Sequence, residues 1–153
     1  MARNMLQSLD DAMRVNVALM DEPTIDNTQL LRLLDAKLLR QAMEIVRVLF
    51  TTLGGSLPCA PSVPTIKQSG RFFALANRVL HRSVAQQQAQ ALARDPFAKA
   101  FSDLLAALAF ARHIARNVRD GIPLRNHALV AQRVRGVAEL YRTFRLQAWL
   151  KLS

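Results

Sequence analysis

The stretch from Asp95 to Gly121, DPFAKAFSDLLAALAFARHIARNVRDG, decides the fold class. Asp95-Pro96 is a helix start: the aspartate caps, and proline at the first helical position gives up an N–H that would have no partner anyway. Behind it Phe97, Phe101, Leu104, Leu108, Ala111, Ala115 and Val118 recur by threes and fours, which puts one apolar stripe on a long helix that ends before Gly121. A stripe of that kind is buried against other helices.

The same period runs outward in both directions. Towards the C-terminus Pro123 opens a fifth predicted helix, with Val130, Val134, Val137, Tyr141, Phe144 and Ala148 on one side. Towards the N-terminus a third is predicted over roughly Lys67 to Arg94, burying Phe72, Phe73, Ala76, Leu80 and Val84; Gly70 shifts its expected start towards Arg71. Upstream lies an uncharged, proline-rich connector. A first helix carries Leu6, Leu9, Met13, Val17 and Met20 and stops at Asp21-Glu22-Pro23, because proline disfavours helix in the residue before it. A second, capped by Asp26, Asn27 or Thr28, runs along Leu31, Leu34, Leu38, Ala42, Ile45, Leu49 and Leu53 to Gly54-Gly55. No sustained alternation indicates a strand, and no internal repeat is found. The expectation is an all-α, single-domain bundle of about five helices over residues 1–153. It divides into a near-neutral two-helix part (1–53), a Pro/Gly connector (54–65) and a strongly basic three-helix part (66–153).

Composition agrees. The chain has 153 residues, 51% of them hydrophobic, with 5 Gly and 6 Pro, which suits one folded domain rather than a disordered chain. The single cysteine, Cys59, excludes an internal disulfide framework and a cysteine-rich zinc site. Between Arg47 and Lys67 no residue is charged, but Gly54, Gly55, Pro58, Pro61 and Pro64 prevent a continuous spanning helix. The N-terminal residues lack the apolar run of a secretory signal, so a soluble cytoplasmic protein with no membrane partner is expected.

Charge is the informative property. The net charge is +10, from 21 basic and 11 acidic residues. Through Ala60 there are six basic and seven acidic residues; from Pro61 onward there are fifteen and four. At about 100° per residue, Lys67, Arg71, Arg78 and Arg82 share an arc of roughly 60° on the third predicted helix. Arg112, Arg116 and Arg119 share a similar arc of about 60° on the fourth. Arg135, Arg142 and Arg145 lie on one side of the fifth, with Glu139 placed to pair with Arg135 and Arg142. A single stripe is ordinarily a solvated face, and arginines in a last turn also complement the helix dipole. The combined excess is different, because uncompensated positive charge repels itself and the fold does not require it. A polyanion compensates it through counterion release, and arginine suits phosphate because its planar fork donates two parallel hydrogen bonds. These ten residues are therefore the candidate nucleic-acid-binding set, acting on the backbone without reading sequence.

The search for catalytic chemistry returns nothing comparable. His81, His113 and His127 show no metal-ligand spacing with one another or with a glutamate. Asp10-Asp11 and Asp21-Glu22 are adjacent pairs that point apart on a helix and read as surface or end-of-helix charges. Leu53-Gly54-Gly55-Ser56-Leu57 has neither phosphate-loop nor nucleophile-elbow spacing, and Cys59 has no basic neighbour in sequence. The phenylalanines fall at helical spacing and belong to the core; Tyr141 and Trp149 are candidates for partner anchors. Ala131-Gln132-Arg133-Val134-Arg135-Gly136 is one residue too long for a helix-turn-helix, and Gly136 lies inside an apolar period rather than at a turn. No catalytic residue, cofactor or metal site is expected.

A small, basic, wholly helical chain with stripes such as Lys67-Arg71-Arg78-Arg82 and Arg112-Arg116-Arg119 resembles, in gross character, the small subunit of multisubunit CRISPR effector complexes. That resemblance implies several copies packed along larger subunits and contact with nucleic-acid phosphates. The resulting expectation is a non-enzymatic, nucleic-acid-backbone-binding subunit of a larger ribonucleoprotein or DNA-processing assembly, with other protein subunits, including copies of itself, as partners. The alternative is a protein–protein interaction module whose basic face docks an acidic protein and has no nucleic-acid role.

Overall fold

In a computed structural model, residues 1–58 and 71–153 are described, and they form six helices: α1 (Ala2–Asp21), α2 (Asn27–Leu33), α3 (Ala36–Thr52), α4 (Arg71–Arg94), α5 (Pro96–Arg119) and α6 (His127–Leu152). The all-α class is as the spacing predicts, with one helix more. The extra one comes from a break at Leu34-Asp35 within the second predicted helix. Leu34 leaves helical backbone at ψ 134, and the Asp35 carboxylate caps α3 by accepting from the Leu38 N–H at 3.0 Å. Across the break the buried register changes from Leu30 and Leu31 to Leu39, Ala42, Met43 and Val46, leaving the expected seam residues Leu38, Ile45 and Leu53 half-buried.

Other boundaries also follow local chemistry. Helix α6 starts at His127 rather than at Pro123, because Asn126 adopts a left-handed backbone (φ 57) and caps it by accepting from the Leu129 N–H. Helix α5 ends with Gly121 at φ 73, whose N–H donates to Val118 while Ile122 N–H donates to Asn117, a Schellman closure. Lys67 and Cys59 lie outside the described residues, as do the side chains of Arg71, Phe72, Phe73, Ala76 and Leu80.

Four long helices close a ring: α1 packs on α3 and α6, and α5 packs on the same two from the opposite corner. The short α2 lies across α5 and α6, and α4 packs chiefly on α5, with Leu92 against the edge of the core. Leu9 and Met13 of α1, Leu39, Val46 and Leu49 of α3, Leu104 and Leu108 of α5, and Val134, Val137 and Phe144 of α6 fill the centre. Burying each such side chain contributes about 1.5–3 kcal/mol before conformational entropy is subtracted. Phe50, Phe97, Phe101 and Phe144 are buried together, as expected; Phe50 stacks on Phe101 at 3.9 Å and meets Phe97 at 5.0 Å. No helix among the described residues is long and apolar enough to cross a membrane.

Candidate functional site

The aromatic stack orients the two helices that matter. Phe50 is near the end of α3, whereas Phe97 and Phe101 are at the start of α5, so these helices run antiparallel. The first turns of α3 must then lie beside the last turns of α5. Between them is a groove of about 250 Å³ lined by Ala36, Lys37, Arg40, Arg112, Arg116 and Arg119. Its one wall is Lys37 and Arg40 of α3; the other is the three arginines of α5, set on one face by their spacing of four and three.

The electrostatics of this groove are lopsided. Arg40 meets Glu44 at 3.3 Å and Arg119 meets Asp120 at 3.7 Å, both in exposed pairs that contribute little. The Asp35 carboxylate caps α3 by accepting from the Leu38 N–H. Among the described residues no carboxylate pairs with Lys37, Arg112 or Arg116. Arg116 and Arg119 gain something from the negative end of α5, but Lys37 sits at the positive end of α3, where a cation is disfavoured.

The structure distributes the sequence-predicted residues unevenly. Arg112, Arg116 and Arg119 converge in the groove. Arg78 and Arg82 are exposed on α4 and line no part of it. Lys67 and the Arg71 side chain fall outside the described residues. The α6 arginines are occupied within the chain. Arg135 is half-buried and donates to the carbonyls of Met20 (2.9 Å), Glu22 (2.9 Å) and Ile25 (2.7 Å), closing the end of α1. Arg142 pairs with Asp21 and more loosely with Glu139 at 3.8 Å. Arg145 forks onto Asp10, with Nε to Oδ1 at 2.9 Å and Nη2 to Oδ2 at 3.1 Å. The expected Glu139–Arg135 pair is replaced by the carbonyl clamp. The reason is that the side of α6 carrying these residues faces α1, whose Asp10 and Asp21 look like ordinary surface charges in sequence.

Tyr141 belongs to the same α1–α6 seam. It is buried and donates to Asp10; burial first, and then that hydrogen bond, push its phenol well above the usual tyrosine range. The bond to Asp10 likewise holds the Arg145 guanidinium above its ordinary value. Trp149 is 48% exposed and forms, with Leu146, Arg142 and Arg145, a shallow hollow of about 370 Å³.

Sequence reasoning overlooked Lys37 and Arg40. Segment totals concealed them, since seven carboxylates in the first sixty residues cancel six cations on paper. The available signal was positional: Lys37 and Arg40 are three apart, on one helix face, just after the Leu34-Asp35 break.

Comparison of the chain with protein-family models, curated proteins and solved structures returns no match. The groove's chemistry is thus read from its own residues. Five cations on two walls, with guanidinium groups in the majority, suit an anion with several oxygens presented in succession.

Proposed function

We propose that this chain is a non-enzymatic helical subunit that binds the phosphate backbone of nucleic acid inside a larger ribonucleoprotein or DNA-processing assembly. The single observation carrying this reading is the groove in which Lys37 and Arg40 face Arg112, Arg116 and Arg119. Helix-dipole complementation accounts for arginines in the last turn of α5 but not for Lys37, which stands at the positive end of α3. Arg78 and Arg82 are also exposed, on α4, which carries no acidic residue. An assembly of the CRISPR effector type, with which the chain shares its basic all-helical character, is one setting of this kind.

The test compares two arginine sets by the salt dependence of polynucleotide binding. Replacing Arg112, Arg116 and Arg119 by Gln lowers the log–log slope by up to three phosphate equivalents, each about 0.7–0.9. Replacing Arg142 and Arg145 leaves that slope nearly unchanged and lowers stability instead. Equal effects from the two sets, or no binding by the parent, overturn the proposal. A second reading, docking of a protein partner, is favoured by one feature: Leu146, Trp149 and Leu150 are all about half exposed at the end of α6 (56%, 48% and 56%). Within an assembly both surfaces have a use.

A further inference from the structure

The groove's dimensions and charge narrow that reading, on which this inference rests, to one form of ligand. We infer that the α3–α5 groove seats a single polynucleotide strand, gripping about three consecutive phosphates.

The charge sets the number at about three, and the length of the groove is compatible with it. Arg112 to Arg119 spans seven residues, about 10 Å along α5. The phosphates of a strand outside a duplex lie farther apart than the per-strand rise of about 3.4 Å in the double helix, so that span holds at most about three. The charge count is separate from the length. Of the five cations, Arg40 and Arg119 already have Glu44 and Asp120, which leaves the charges of Lys37, Arg112 and Arg116 to be met from outside.

The strandedness follows from the two walls. A chain lying in the groove receives cations from α3 on one side and from α5 on the other. A duplex is too wide to enter a groove between helices in direct contact, whose axes are about 8–10 Å apart, and offers its phosphate row to the rims alone. None of the six lining residues is aromatic, so the groove has no aromatic stacking platform and its contacts are those of charge with phosphate.

The test uses fluorescent thymidine and uridine tetranucleotides, each with three phosphodiesters, titrated against the full chain. Both bind alike, and a fourfold rise in salt weakens binding roughly 20-fold, as three single-strand contacts at about 0.7 each require. In K37Q/R112Q/R116Q that salt dependence flattens while the helical circular dichroism is retained. In the reverse variant, E44Q/D120N, binding tightens, which shows the effect of charge in a protein that has lost no cation. A twelve-residue oligothymidine displaces the tetranucleotide at lower concentration than the same strand annealed to oligoadenosine. If long polynucleotides bind but the tetranucleotides do not, or if the duplex competes better, the single-strand seat is wrong and backbone binding survives. If E44Q/D120N gains nothing, the charge count is wrong. If no polynucleotide of any length binds, the functional reading itself fails.

Discussion

Asn16 and Asp35 exchange a reciprocal pair of hydrogen bonds: the Asn16 carboxamide accepts from the Asp35 N–H at 2.9 Å and donates to the Asp35 carbonyl at 3.5 Å. Asn16 is fully buried, the one buried polar residue among those described, and it satisfies the backbone where α2 breaks from α3. Replacing it by Ala leaves the half-buried Asp35 N–H and carbonyl without that partner, at about 1–3 kcal/mol for a group left fully unpaired. Asn16→Ala is therefore expected to lower the denaturant midpoint by an amount corresponding to about 2 kcal/mol or more. Because Asp35 begins the helix that carries Lys37 and Arg40, polyanion affinity should fall as well.

Arg135 supplies the corresponding link between α6 and the end of α1. Its guanidinium donates to three carbonyls on the Met20–Ile25 segment, a geometry that a lysine ammonium cannot reproduce with one planar fork. Hydrogen bonds from a charged donor contribute about 1.5–3 kcal/mol, so Arg135→Gln should cost roughly 2–3 kcal/mol, with Arg135→Lys only a partial rescue. Polynucleotide affinity at a temperature where the variant remains folded should match the parent. Equilibrium unfolding beside a binding titration separates the two effects.

The contrast between Arg135 and Arg116 marks what could be read in the sequence. Both sit on arginine stripes at helical spacing, and periodicity correctly places both on helices and off the core stripe. Periodicity says nothing about which neighbour lies across from a stripe. Asp10 and Asp21 meet Arg145 and Arg142 more than a hundred residues away in sequence, and the carbonyls that hold Arg135 carry no sequence signal at all. The apolar stripe of α5 was legible because burial acts on a whole face at once. The Leu34-Asp35 break was not, since Leu31, Leu34 and Leu38 continue a helical period across it, and the Asp35 cap is joined there by Asn16 from another helix. The spacing of Lys37 and Arg40 puts them on one helix face, but it is the packing of α3 against α5 that sets that face opposite three arginines.

Gly121 tests how firmly the end of α5 is set. Its φ of 73 is a left-handed conformation, and a Cβ there meets no atom within 4 Å, so the cost of Gly121→Ala is conformational and not steric. That cost is about 1 kcal/mol. A thermal melt should shift by a few degrees, while the salt dependence of polynucleotide binding changes little, since Arg112 and Arg116 lie a turn or more upstream.

Tyr141 gives a pH test with a defined sign. It is the only tyrosine in the chain, so phenolate absorbance reports on it alone. Burial and the bond to Asp10 raise its folded-state pKa above that of the unfolded chain, about 10. The folded state therefore holds the phenolic proton more tightly, and the associated stability is fully present below about pH 10 and lost as pH climbs towards the folded value. Unfolding free energy measured at roughly pH 9 and pH 11, on either side of the unfolded phenol's pKa of about 10, should fall between the two in the parent. The fall should be smaller in Tyr141→Phe, which has no proton to lose. Asp10→Asn should bring the absorbance midpoint down part of the way only, because burial, the larger cause, remains. A Tyr141 that titrates at about 10 in the folded protein would mean that the α1–α6 seam does not bury it.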